Sequence, residues 1–117
     1  MGKLSTHVLD TAHGRPGAGV QVELFALDGE RRTLLKTERT NADGRCGAPL
    51  LEGDLLRPGQ YELVFYAGDY FAAQGVDLPS PRFLDRITIG FGIADGGQNY
   101  HVPLVMTPWS YSTYRGS

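Results

Sequence analysis

His7, His13 and His101 are the side chains of this chain best suited to moving a proton near neutral pH. Imidazole titrates closest to physiological pH, so two of them flanking one site can hold a water, deprotonate it and relay its proton. Arg45 ends the turn Asn41-Ala42-Asp43-Gly44, a place from which a guanidinium can project toward a ligand, and Arg115 stands close to the carboxyl end. Each residue taken alone has a plainer reading, as a hydrogen-bonded structural histidine or a solvated loop arginine. His13, inside a turn, is assigned that structural role. Cys46 is the only cysteine, which excludes an internal disulfide and a multi-cysteine zinc site. It reads as a small inert thiol rather than a nucleophile.

The histidines need elements that point them the same way. Along Asn99 to Thr107, the apolar residues Tyr100, Val102, Leu104 and Met106 share one parity of a strand, which sends His101 to the opposite face with Pro103 and Val105. In Leu4 to Thr11, the residues Leu4, Thr6 and Val8 share a parity, and Ser5, His7 and Leu9 take the other. Both histidines are therefore expected on the outer faces of strands. The clearest alternation in the chain is Ile87, Ile89, Phe91 and Ile93 against Thr88, Gly90 and Gly92. Val20, Val22, Leu24 and Ala26 repeat it, as do Tyr61, Leu63 and Phe65.

Arg31 to Thr40 and Tyr111 to Arg115 also read as extended. Turn signals separate these runs at His13-Gly14-Arg15-Pro16-Gly17, Asp28-Gly29, Asn41-Ala42-Asp43-Gly44, Arg57-Pro58-Gly59 and Asp95-Gly96-Gly97. The one helix expected is Asp69 to Gln74, capped by Asp69 and stopped by Gly75. It is too short to organise a layer. About seven or eight short strands with frequent turns imply an all-β protein of two packed sheets or a barrel, because each sheet must bury one face.

Composition narrows the function classes. With 117 residues the chain fits one domain, residues 1–117, and it shows no repeat or linker. Apolar residues at 41% and charges at 21% suit a globular protein rather than a disordered one. A net charge of −2 with no basic stripe makes nucleic acid an unsuitable partner. Apolar runs are too short to cross a membrane, and Ser5, Thr6, His7 and Asp10 interrupt the stretch a signal peptide would need, so a cytoplasmic location is expected. The end, Trp109-Ser110-Tyr111-Ser112-Thr113-Tyr114-Arg115-Gly116-Ser117, is unusual in keeping strand-forming and donor-rich residues where chain ends commonly fray.

Four segments together resemble the 5-hydroxyisourate hydrolase family. They are Leu4-Ser5-Thr6-His7-Val8-Leu9-Asp10, Asp43-Gly44-Arg45-Cys46, Tyr100-His101-Val102-Pro103-Leu104 and the final Tyr114-Arg115-Gly116-Ser117. The resemblance runs through essentially the whole chain. It implies a transthyretin-like two-sheet sandwich of about eight strands with one short helix, assembled as a homotetramer around a central channel with sites where dimers meet. Carried over residue by residue, it makes His7, Arg45 and His101 the catalytic set and has Tyr114, Arg115, Gly116 and Ser117 complete the substrate pocket. The implied reaction is hydrolysis of 5-hydroxyisourate without a metal or other cofactor. Whether Arg45 stabilises an oxyanion or clamps the substrate stays open, as does the choice of histidine for the base. Asn99 stands where many relatives have another histidine, and it should share a face with His101. A small-ligand carrier on the same fold is the competing reading.

Overall fold

The computed structural model describes residues 2–116. Strands dominate: β1 (Lys3–Asp10), β2 (Arg15–Pro16), β3 (Gln21–Asp28), β4 (Arg31–Arg39), β5 (Leu51–Glu52), β6 (Gly59–Phe65), β7 (Ile87–Ile93), β8 (Tyr100–Met106) and β9 (Tyr111–Thr113). One sheet runs β2-β1-β8-β9 with β5 also paired to β1, and the other runs β4-β3-β6-β7. The core lies between them. Leu4 and Val8 of β1 and Leu104 and Met106 of β8 face Leu24, Leu63, Phe65 and Ile87 from the second sheet, all nearly or fully buried. Each such side chain contributes roughly 1.5–3 kcal/mol by leaving water, which fixes the register because a slip of one residue would turn the apolar set outward.

Alternation works well in β1, β3, β6, β7 and β8 and fails in β4. That strand is an edge and is exposed along most of its length. A register shift lies between Leu24 and Phe25, where the partners step from Lys36 to Leu34, so Leu35 is the extra residue of a bulge. Leu34 and Leu35 are accordingly 50% and 43% exposed. Arg31, Arg32, Lys36, Glu38 and Arg39 line this edge with charge, which discourages a further strand from adding to it. The strands β2 and β5, two residues each, lie in segments where no periodic signal exists to read.

The helix α1 spans Ala67–Ala73, starting two residues before the expected Asp69. Tyr66 takes the N-cap position without a side-chain cap, and the Gly68 N–H instead donates to the Asp85 carbonyl at 2.8 Å. A main-chain partner from the 80–86 loop does the work expected of a capping carboxylate. Asp69 sits in the first turn and accepts from Arg82 at 2.6 Å. The buried face of α1 carries Tyr70 and Phe71, and Tyr70 donates its hydroxyl proton to Asp10 at 2.8 Å. Asp10, fully buried at the end of β1, also accepts from the His13 ring at 2.7 Å and the His13 N–H at 3.0 Å. His13 is thus a structural residue, tying the turn after β1 to the helix.

Candidate active site

The strand β1 pairs with β8 in parallel, with Ser5 opposite His101 and His7 opposite Pro103. Residues two apart share a face, so Ser5, His7 and His101 stand together on the outer side of this sheet while their neighbours fill the core. Two isolated bridges extend the row. Arg45 pairs with His7 on the far side of β1, and Gly116 pairs with His101 on the far side of β8. Backbone pairing alone therefore brings together four of the residues singled out in the sequence, from four separate segments.

The turn that delivers Arg45 is built around Asn41. Its side-chain oxygen accepts from the Asp43 N–H at 2.9 Å and the Arg45 N–H at 3.2 Å, and its carbonyl accepts from the Gly44 N–H at 2.9 Å. Gly44 adopts φ +77°, and a Cβ there would collide with the Val8 carbonyl. The turn can press this close to β1 only as glycine, and the Val8 N–H then donates to the Gly44 carbonyl at 2.8 Å. The same turn orients His7, whose Nε2 lies 2.9 Å from the Asp43 carbonyl. A carbonyl only accepts, so Nε2 carries the proton and Nδ1 of the neutral ring keeps a lone pair.

His101 is held from two sides. Its Nδ1 lies 2.8 Å from the Ser5 hydroxyl oxygen. On its other flank the Gly116 N–H donates to the His101 carbonyl at 2.8 Å, and a Cβ on Gly116 would fall 2.6 Å from Cδ2 of the ring. Partial burial, the Arg45 charge and His7 all hold the His101 imidazole below its ordinary pKa, so it is neutral at neutral pH. A cavity of about 300 Å³ opens here, its walls including Lys3, Ser5, Arg45, Cys46, Asn99 and His101. Burial, and next Glu38, push the Cys46 thiol up against a weaker opposing pull from Lys36, which keeps it a thiol and a poor nucleophile. Asn99 accepts from the Lys3 N–H at 3.0 Å through its side-chain oxygen, so it fastens the start of β1 to the approach of β8 at the cavity wall.

The rest of the tail is placed differently from Gly116. The Arg115 guanidinium lies 4.3 Å over the Tyr100 ring and donates to the Gln98 side chain and the Asn99 carbonyl, both at 3.1 Å. Tyr100 belongs to the core-facing set of β8, so Arg115 leaves the tail on the side away from the imidazoles. With Tyr114, which is 60% exposed, it borders a second cavity of about 350 Å³. Ile89, Phe91 and Val102 give that cavity an apolar wall without an imidazole. Ser117 lies outside the described residues. Ser5 is the residue of this site that the sequence reading passed over. It shares the parity of His7, which was visible, but its pairing with His101 across 96 positions was not. Among the described residues, no three His, Cys, Asp or Glu side chains cluster with the geometry of a metal site.

Two sheets packed face to face, with a pair of imidazoles and a guanidinium gathered on one outer face, define a small β-sandwich with a candidate site for proton transfer. Residues 4–116 match the HIUase/Transthyretin family, and the chain belongs to that family. It is 60% identical over 117 residues to the 5-hydroxyisourate hydrolase of Ralstonia nicotianae, covering 100% of both chains. The solved structure of Klebsiella pneumoniae 5-hydroxyisourate hydrolase superposes with a TM-score of 0.82 at 37% identity, covering 100% of both chains. An (S)-allantoin synthase structure matches with a TM-score of 0.94 at 44% identity, over 99% of this chain but 44% of that longer one.

Proposed function

We propose that the chain hydrolyses 5-hydroxyisourate, opening its ring to give 2-oxo-4-hydroxy-4-carboxy-5-ureidoimidazoline; its full-length relatives carry the name 5-hydroxyisourate hydrolase. The observation that supports the site assignment is the meeting of His7, His101 and Arg45 on one outer sheet face. Neutral His101 takes a proton from water, and the oxygen of that water bonds to the ring amide carbonyl carbon. His7 accepts a hydrogen bond from the same water through its free Nδ1 and holds it. Arg45 stabilises the negative charge that develops on the carbonyl oxygen. The carbon–nitrogen bond then breaks, its electron pair stays on nitrogen, and the imidazolium returns its proton there. The products are the ureido nitrogen and a carboxylic acid, which ionises to the carboxylate by releasing the second water proton to solvent. Every proton is carried by water or by a side chain already in place.

In this reading Gly116 supports His101 directly, and Arg115 anchors the tail through Tyr100, Gln98 and Asn99. Tyr114 and Ser117 are kept as substrate-binding residues of the assembled enzyme only, because within one chain Tyr114 borders the apolar cavity rather than the one that His101 lines. The reading also keeps a homotetramer in the cytoplasm. The strands β7 and β9 end their sheets, and Trp109, Tyr111 and Tyr114 are large exposed apolar side chains beside β9, a surface suited to contact with further copies. The test is ultraviolet monitoring of freshly generated 5-hydroxyisourate. Faster, chirally selective decay supports the hydrolase, whereas binding without faster decay supports a carrier.

A further inference from the structure

We infer that Ser5 is a positioning residue that fixes the ring rotation and tautomer of His101, so that Nε2 is the atom that takes the proton. The inference rests on the hydrolase reading for its kinetic consequence only. Nδ1 of His101 is engaged by the Ser5 hydroxyl at 2.8 Å. No hydrogen bond to Nε2 is made by the described residues, which leaves this nitrogen for the cavity that Ser5, Arg45 and His101 share. The ring cannot tilt toward the tail, because Gly116 Cα occupies that side so closely that even a methyl group there would fall 2.6 Å from Cδ2. Ser5 and Gly116 therefore act as two jaws of one seat.

The tautomer follows from the chemistry of the two flanks. A serine hydroxyl can accept as well as donate. With Nδ1–H donating to Ser5 Oγ, Nε2 keeps its lone pair beside a cavity that Arg45 also lines, and a nearby cation favours a lone pair there over an N–H. A free imidazole in water prefers the opposite tautomer, with its proton on Nε2. The seat has to overcome that preference, and Ser5 is the acceptor in place to do it. His7 provides the contrast. Its Nε2 proton is held by the Asp43 carbonyl, so the two rings present different nitrogens, one to position water and one to deprotonate it.

The experiment compares the parent with Ser5→Ala and Ser5→Thr. Long-range proton–nitrogen correlation spectra of the substrate-free protein, with His101 assigned by its Asn variant, report which ring nitrogen carries the proton. The parent is expected to hold the proton on Nδ1, Ser5→Ala to revert toward Nε2–H, and Ser5→Thr to restore the parent state. In turnover, Ser5→Ala should lower kcat about ten- to a hundredfold, the cost of a misplaced catalytic group, with KM little changed, and Ser5→Thr should recover most of the loss. A parent ring protonated on Nε2, or an Ala variant that keeps either the parent tautomer or the parent kcat, overturns the inference. A parent protein that fails to hydrolyse the substrate overturns the hydrolase reading instead, and the spectra still decide the seat.

Discussion

His101 and Arg45 are coupled through charge, and in the proposed mechanism they also meet at the same substrate. Burial first, then the Arg45 guanidinium and His7, hold the His101 imidazole below its ordinary range. The base is active when neutral, so kcat/KM should fall as pH drops through that lowered value and stay high above it. Arg45→Gln removes a cation that disfavours the imidazolium, which raises the His101 pKa and moves the acid limb to higher pH. The same change removes the proposed oxyanion partner and should cost about a hundredfold or more in kcat. A pH-rate profile of the variant checks both effects. A limb that stays in place would show that Arg45 does not act on His101. At this scale the chemistry was half legible in the sequence. The parity of Leu4-Ser5-Thr6-His7 and of Tyr100-His101-Val102 put both rings outside the core, but parity says nothing about which strand lies next to which. The role of Ser5 depends on that adjacency alone.

The elements were legible where burial imposes a period and illegible where it does not. The strands β3, β6, β7 and β8 bury mainly one face, so their apolar residues recur every second position, interrupted only where Val64 of β6 and Pro103 of β8 are buried on the other parity. The edge strand β4 buries neither face and contains a bulge, so Leu34 and Leu35 follow no pattern. The helix begins before Asp69 because a loop carbonyl, invisible in local sequence, satisfies its first turn.

Two predictions belong to elements. Asp10 joins β1 to α1. Burial alone would raise its pKa, but the hydrogen bonds from Tyr70 and His13, together with the His13 charge, outweigh it and hold the carboxyl below the usual range. A depressed folded pKa means that the tie stabilises the fold fully above the ordinary carboxylate range and weakens as pH falls through the lowered value. Asp10→Ala leaves the Tyr70 hydroxyl buried without its acceptor and should cost about 2–4 kcal/mol near neutral pH, with a smaller difference in strong acid. Chemical denaturation across pH reads this directly. The tail gives the opposite expectation. Removing residues 115–117 takes away the Gly116 support of His101 but none of the core, so the melting temperature should barely change. Hydrolysis should drop about a hundredfold or more. A truncated protein that melts and turns over like the parent would confine the tail to finishing a sheet edge.

At the scale of the whole molecule, the site exists because a sandwich needs only one face of each sheet for its core. The other face of the β1–β8 pair is free to carry Ser5, His7 and His101 without disturbing Leu4, Val8, Val102 or Leu104 beneath them. The sheet edges at β7 and β9 and the exposed aromatic side chains near β9 lead to the expectation of a tetramer. Sedimentation at micromolar concentration should find that species, and a fully active stable monomer would require the whole pocket to be built by one chain. The most direct measurement of the central claim is the ultraviolet decay of freshly made 5-hydroxyisourate with the parent protein and with His101→Asn, each of verified fold and assembly. The account predicts rapid, chirally selective decay with the parent and a loss of about a hundredfold to ten-thousandfold in the variant, the usual cost of removing a general base. Decay no faster than in buffer with the parent, or undiminished in the variant, would contradict it.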